Sequence, residues 1–199
     1  MKLVPIALTF ALAAGMLMPP CFALDPAWQA FNDGAEAQFK ANNYYDAEIL
    51  FLKAKAQAVS MGEKTELAKT LSDMGWMYDN LKRYGDAEKV YTELLAVRKI
   101  LFGDNSLEVA RAYRLIGNEQ VNQGRLPLGE ANYLLALNII DALIGNSNPA
   151  PDADTKELIG LLRNLVTVCQ LEHKDADAQA YQTRVASVGL GYVNATGHH

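Results

Sequence analysis

Apolar residues recur at three- and four-residue spacing along most of this chain, and this spacing predicts amphipathic helices rather than strands. The clearest stretch places Leu67, Leu71, Met74, Gly75 and Tyr78 on one helical face. A polar turn at 82–86 follows, and a second apolar helical face begins at Ala87. The pattern therefore predicts two helices joined by a tight turn, that is, a helical hairpin.

The same arrangement repeats along the chain, because a small residue is followed twelve positions later by alanine. The pairs are Ala35 with Ala47, Gly75 with Ala87 and Val166 with Ala178, and a looser pair, Gly117 with Ala131, has two extra residues in its turn. Self-similarity at a period of about 40 residues is typical of a helical repeat protein. Small residues are expected at the points where two helices cross closely. The predicted hairpins span 28–61, 65–102, 107–144 and 155–188.

Residues 71–95 resemble a tetratricopeptide repeat. The resemblance depends on Leu71, Gly75, Tyr78, Ala87, Tyr91 and Leu94. Gly62, Gly103 and Gly145 form a second echo, in which each glycine precedes polar residues that open the next helix. This longer period is similar to the 42-residue repeats of kinesin light chain. The resemblance implies an all-α fold of about four hairpins, stacked as a short right-handed superhelical solenoid.

The N-terminal segment 1–23 is predicted to be a secretory signal peptide. Lys2 is followed by an apolar stretch, two prolines and a small residue, Ala23, before the predicted cleavage site. We therefore expect export, to a bacterial periplasm. Secretion outside the cell is an alternative, lipid anchoring through Cys21 is another, and an uncleaved, weakly anchoring segment is a third. At the other end, the composition of 189–199 predicts a flexible tail.

Charge and cysteine content limit the possible partners. The full chain has 199 residues and a net charge of −5. An acidic surface argues against nonspecific binding to nucleic acid and to anionic membranes. Cleavage at Ala23 would leave Cys169 as a single cysteine, which we expect to be a buried apolar residue, with a reactive thiol as the alternative.

The resemblance also implies that the first helices of successive hairpins line a concave groove. The predicted groove residues are Phe39, Lys69, Trp76, Asn80, Arg111, Arg114, Asn118, Asn122 and Arg163. Trp76 would anchor a ligand side chain, unless its indole packs into the core. Lys69, Arg111, Arg114 and Arg163 would form a basic line that suits an acidic peptide or a C-terminal carboxylate. The alternative for these cations is local ion pairing.

No catalytic or metal-binding motif is evident, and no cofactor is predicted. His173 lies in a polar turn, and His198 and His199 lie in the predicted tail. The sequence therefore predicts an exported, noncatalytic adaptor that binds a protein or peptide. The alternative is a structural protein that self-assembles through a weakly capped end or through its convex face.

Overall fold

The computed structural model describes residues 25–145 and 152–196. Over these ranges the chain forms eight α-helices in four consecutive hairpins. The helices are α1 (Pro26–Lys40), α2 (Tyr44–Met61), α3 (Lys64–Asn80), α4 (Tyr84–Phe102), α5 (Leu107–Asn122), α6 (Leu126–Gly145), α7 (Asp152–Leu171) and α8 (Asp175–Thr196). The predicted signal peptide lies outside the described residues.

Each helix packs against the next one in the chain, and α1 also contacts α3, as α5 contacts α7. Contacts restricted to neighbouring units are typical of a solenoid. The predicted all-α class and the stack of four helical hairpins are thus confirmed.

Each hairpin turns at one residue with a left-handed backbone conformation. These residues are Asn42, Lys82, Gly124 and His173, with φ of 63°, 57°, 75° and 59°. In the second hairpin the Lys82 amide donates to the Asp79 carbonyl at 2.8 Å, and the Arg83 amide donates to the Tyr78 carbonyl at 2.9 Å. Equivalent pairs of bonds close the other three turns. This Schellman motif satisfies carbonyls at the end of the first helix, and it gives the four turns a common backbone geometry.

The third hairpin pairs Gly117 with Gly129, so the predicted pairing of Gly117 with Ala131 is wrong. Gly129 is buried, and a Cβ atom added to it would lie 2.9 Å from the Gly117 carbonyl oxygen. Ala131 is exposed on the other side of α6. The small residues are therefore twelve positions apart in all four hairpins, and the third turn has no insertion. Glycine replaces the expected alanine because the two backbones approach too closely here for a Cβ atom.

A tyrosine four residues after the small residue of α4 and of α6 covers the glycine of the facing helix. Tyr91 and Tyr133 are 2% and 3% exposed. A Cβ atom added to Gly75 would lie 2.7 Å from both Cδ1 and Cζ of Tyr91, and closer still to Cε1. Ordinary carbon–carbon contacts are about 3.5–4.0 Å. The tyrosine ring therefore fills the space that any side chain at position 75 would need.

Three ion pairs at equivalent positions link each hairpin to the following one, and we call them the ladder. They are Glu48 with Arg83, Glu88 with Arg125, and Glu130 with Lys174. Each acid lies one residue after the small residue of its second helix, and each cation lies four residues before that of the next hairpin. The hydrogen bond from Arg83 holds the pKa of the Glu48 carboxyl below its usual range. Because the pattern recurs at every junction, the ladder favours one register of stacking.

The structure also settles two features of the C-terminal hairpin. Cys169 is fully buried, as predicted, and its Sγ lies 3.8 Å from Oε1 of Glu130. Helix α8 continues to Thr196, although the sequence predicts a flexible tail from Gly189. Glycine disfavours a helix by about 1 kcal/mol but does not end it, and Val188 anchors this helix against a core cluster.

Helix α6 is, within the described residues, the one helix that is long and apolar enough to cross a membrane, with a mean hydropathy of 1.2 over 18 residues. One side of α6 packs into the core through Tyr133, Ala136, Leu137 and Ile140. The opposite side leaves Leu128, Leu134 and Leu135 between 36% and 49% exposed. The helix therefore presents an apolar outer surface as well as its packed face.

Candidate functional site: the groove between first helices

The candidate site is the surface of the first helices, α1, α3, α5 and α7, which we call the groove. The first helices α1 and α3 contact each other directly, because the Trp28 indole on α1 donates to Thr70 Oγ1 on α3 at 2.9 Å, and α5 contacts α7 in the same way. One cavity between hairpins one and two and another between hairpins three and four lie along this surface. Both contain residues that the sequence analysis assigns to the groove.

The first cavity, which we call the aromatic site, lies between hairpins one and two. It has a volume of about 210 Å³ and is lined by Glu36, Phe39, Lys40, Phe51, Asp73, Trp76 and Met77. The rings of Phe39 and Trp76 meet edge to face, with centroids 5.1 Å apart and an angle of 73°. Aromatic pairs favour this geometry because ring edges are positive and ring faces are negative.

Trp76 is not a core residue, because 53% of it is exposed. Its position one residue after Gly75 turns the indole away from the crossing of α3 and α4 and towards Phe39. Asn80 lies one turn later on the same helix, and its Nδ2 donates to the Trp76 carbonyl at 2.7 Å. The groove therefore holds an exposed indole that is supported by a neighbouring ring.

Three of the four cations in the predicted basic line are neutralised by carboxylates. Lys69 Nζ lies 2.6 Å from Asp73 Oδ2 and 3.0 Å from Glu36 Oε1. Arg111 and Arg114 both bind the half-buried carboxylate of Glu157 on α7, and Arg111 also lies 3.7 Å from the carboxylate of Glu108. The local ion pairs weighed as an alternative are thus present, and the line carries less free positive charge than the sequence alone suggests.

Arg163 differs from these three cations. It is exposed and forms no ion pair with any described residue. A shallow depression at its base is also lined by Gln182 and Val185 of α8. Arg163 therefore lies beside α8, in a depression of the last hairpin that is separate from the aromatic site.

The second cavity, which we call the amide site, lies between hairpins three and four. It has a volume of about 260 Å³ and is lined by Asn118, Val121, Asn122, Tyr133, Asn164, Thr167 and Val168. Asn118 Oδ1 accepts from the Tyr133 hydroxyl at 2.8 Å and from Asn164 Nδ2 at 2.9 Å. The two predicted residues Asn118 and Asn122 thus lie together, and Asn118 is held in place from two helices.

Two carboxylates that the sequence did not single out, Asp79 on α3 and Glu119 on α5, lie near enough to each other to interact electrostatically. Asp79 is half-buried, and Glu119 is only 1% exposed. Burial and the nearby charge of Asp79 raise the pKa of Glu119 to about 7, and burial also raises the pKa of Asp79. Neither residue forms an ion pair within the described ranges, and Glu119 Oε2 is buried there without a hydrogen-bond partner. Both carboxylates therefore lack a counter-charge among the described residues.

Sequence reasoning missed Glu157 and Glu119 for different reasons. Glu157 holds the place in the fourth hairpin that Glu66 and Glu108 hold in the second and third, so an alignment of the repeats would have found it. Glu119 lies on the buried side of α5, two residues after Gly117, where the pattern predicts an apolar residue. A charged residue in an apolar position was the available signal, since such burial is costly.

The described residues contain no group of three or more His, Cys, Asp or Glu side chains that could hold a metal ion. No protein-family model matches this chain, and no curated protein matches it. The architecture is that of a tetratricopeptide-like helical repeat protein. A solved structure with this fold is the crystal structure of BtubC (BKLC) from P. vanneervenii, with a TM-score of 0.73 and 18% sequence identity over 90% of this chain and 69% of that chain. At this identity the likeness establishes the fold.

Proposed function

We propose that this protein is an exported, noncatalytic adaptor that holds a segment of another protein in its groove. The observation that carries the proposal is the aromatic site, where Trp76 is 53% exposed beside Phe39 in a cavity of about 210 Å³. Exposed large aromatic residues in a pocket are typical anchors of protein interfaces. The repeat fold supports the proposal, because solenoids present extended binding surfaces.

Three further parts of the proposal come from the sequence. Export depends on the predicted signal peptide at 1–23, and a noncatalytic role agrees with the lack of an evident catalytic motif. We also assign the chain to the kinesin-light-chain-like subtype, which the 42-residue separation of Gly75 and Gly117 supports.

The experiment that tests the adaptor function is a pull-down from an envelope extract with the mature chain as bait. We expect Trp76→Ala to lose a captured protein and Tyr45→Ala to retain it. Tyr45 is the matched control because it is also a large aromatic residue, is 77% exposed, and lies on α2 outside the groove. Equal capture by the wild-type chain and by Trp76→Ala would show that the groove is not the binding surface.

Self-assembly is a second candidate function, and the outer side of α6 supports it. Leu128, Leu134 and Leu135 form an exposed apolar patch there, and such patches often mark protein interfaces. Analytical ultracentrifugation over a range of concentrations distinguishes this candidate, because self-assembly requires a mass that rises with concentration. Leu135→Lys would abolish that rise and Trp76→Ala would not, whereas a constant monomer mass would refute self-assembly.

A further inference from the structure

The aromatic site and the amide site are built from the same seven positions of the repeat. One, four and five residues after the small residue of the first helix, the aromatic site has Glu36, Phe39 and Lys40. At the same three positions the amide site has Asn118, Val121 and Asn122. The second helix contributes its aromatic residue, Phe51 or Tyr133. The following hairpin contributes Asp73, Trp76 and Met77 to one cavity and Asn164, Thr167 and Val168 to the other. The groove therefore repeats one binding position at the first and third hairpin junctions.

The middle junction, between hairpins two and three, places acidic residues at these positions. Asp79 occupies the place of Phe39 and Val121, and Glu119 occupies the place of Met77 and Val168. Since Met77 and Val168 line the other two cavities, Glu119 belongs to the equivalent wall of the middle junction. We call Asp79 and Glu119 the acidic site. Glu119 is almost fully buried and its Oε2 has no hydrogen-bond partner, and neither carboxylate of the acidic site forms an ion pair within the described residues.

We propose that the groove binds an extended peptide segment in which a large apolar side chain enters the aromatic site while a lysine or arginine about three residues away pairs with Asp79, next to the buried Glu119. This inference depends on the proposed function and specifies the chemistry of its ligand. The cation would contact Asp79 at the groove surface, with the carboxylate of Glu119 behind it. A charge-assisted hydrogen bond of this kind is about twice as strong as a neutral one.

The spacing in the ligand follows from the spacing of the helices. Directly packed helices have axes about 8–10 Å apart, and an extended peptide advances about 3.3 Å per residue. Neighbouring junctions are therefore separated by about three residues of ligand, by these two distances together. A polar side chain a further three or so residues along would reach the amide site by the same spacing.

The distribution of charge favours a basic ligand over the acidic ligand that the sequence predicts. Lys69 is ion-paired with Glu36 and Asp73, and Arg111 and Arg114 are both ion-paired with Glu157. A ligand carboxylate would have to displace these intramolecular partners, whereas within the described residues no cation is paired with Asp79 or Glu119. Desolvated carboxylates without a counter-charge are destabilising, so a ligand cation would relieve an existing cost.

Selection from a phage-displayed library of random peptides on the immobilised full chain tests the proposal. We expect enrichment of peptides that pair a Trp, Phe or Leu with a Lys or Arg about three residues away. Selection on Asp79→Asn should retain the apolar residue and lose the basic one, and selection on Trp76→Ala should do the reverse. Asp46→Asn is the matched control, because it removes one exposed carboxylate from α2, outside the groove, and should select like the wild-type chain.

The fluorescence of Trp76 gives a direct second readout for a selected peptide. The chain has two tryptophans, and Trp28 is only 3% exposed, so a ligand in the aromatic site should shift mainly the Trp76 emission to shorter wavelength. Replacing the basic residue of the peptide by alanine should weaken binding about tenfold, equivalent to about 1.4 kcal/mol. The same replacement should have little effect on binding to Asp79→Asn.

Enrichment of Asp or Glu, or an unchanged preference of Asp79→Asn for basic peptides, would overturn the proposal. A library that yields no groove-dependent peptide would overturn it as well. The adaptor function fails separately, in the pull-down with Trp76→Ala. A partner captured through Trp76 without any preference for basic peptides would thus leave the adaptor function standing and refute only the ligand chemistry.

Discussion

Replacing Gly75 by alanine should destabilise the protein, although alanine ordinarily stabilises a helix. The added Cβ would lie 2.7 Å from two ring atoms of Tyr91 and closer still to a third. Tyr91 is 2% exposed, so its ring has no free space into which it can swing. The second hairpin would therefore have to separate its two helices or distort the tyrosine.

The magnitude is the difference between two effects. Overpacking a close-packed interior costs about 1–3 kcal/mol, and the severe overlap with Tyr91 places this site near the upper end. Alanine recovers about 1 kcal/mol of helix propensity relative to glycine. We therefore expect a net loss of about 2 kcal/mol in the free energy of unfolding. For a chain of this size, that loss corresponds to a decrease of about 4–8 °C in Tm.

The assay is thermal and urea unfolding followed by far-ultraviolet circular dichroism, with Gly160→Ala as the matched control. Gly160 lies in α7, and an added Cβ would have no neighbour within 4 Å. Gly160→Ala should therefore stabilise the chain by about 0.5–1 kcal/mol. In a double-mutant cycle, Tyr91→Leu should remove most of the cost of Gly75→Ala. Equal stabilisation by Gly75→Ala and Gly160→Ala would refute the steric reasoning.

Three further predictions concern charge and the buried thiol. Arg125→Gln removes a cation of the ladder and should lower the free energy of unfolding by about 1 kcal/mol. Lys89→Gln, which removes an ion pair within α4, should change it by less than about 0.5 kcal/mol. Equal effects of the two variants in urea unfolding would show that the ladder stabilises the fold no more than an ordinary surface ion pair. Because the folded chain raises the pKa of Glu119 from 4.5 to about 7, its destabilising effect is absent below about pH 4.5, develops as the pH rises from about 4.5 to 7, and is complete above about pH 7. Glu119→Gln should thus match the wild-type chain near pH 4 and exceed its stability above pH 8 by up to about 3 kcal/mol, and a gain that is independent of pH would contradict this assignment. Burial raises the pKa of the Cys169 thiol, so a thiol reagent such as Ellman's reagent should react only with the unfolded chain, and rapid reaction of the folded chain would show that the last hairpin opens.

The features that the sequence predicted share a local physical cause. Three- and four-residue spacing of apolar side chains determines which face of a helix is buried, and polar turn residues determine where a hairpin closes. Ala35 with Ala47 and Gly75 with Ala87 therefore indicated the hairpins without any coordinates. The turn at His173 and the burial of Cys169 followed from the same kind of local pattern.

The tertiary structure decided what depends on contacts between hairpins. In the third hairpin the position facing Gly117 requires only a residue small enough for the two backbones to approach, and Gly129 meets this requirement. The sequence pattern, which expects alanine there, indicated Ala131 instead. The pairing of Arg111 and Arg114 with Glu157 joins residues 46 and 43 positions apart, so helical spacing gives no sign of it.

The same distinction applies to the groove. The sequence by itself determined that Trp76 lies off the packing face of α3, because one residue past Gly75 is one hundred degrees around the helix. Only the stacked hairpins decided that Phe39 would support Trp76, that Lys69, Arg111 and Arg114 would be ion-paired, and that Asp79 and Glu119 would lie near each other without a counter-charge. Local periodicity fixes the faces of single helices, whereas the charge of a groove depends on which helices meet.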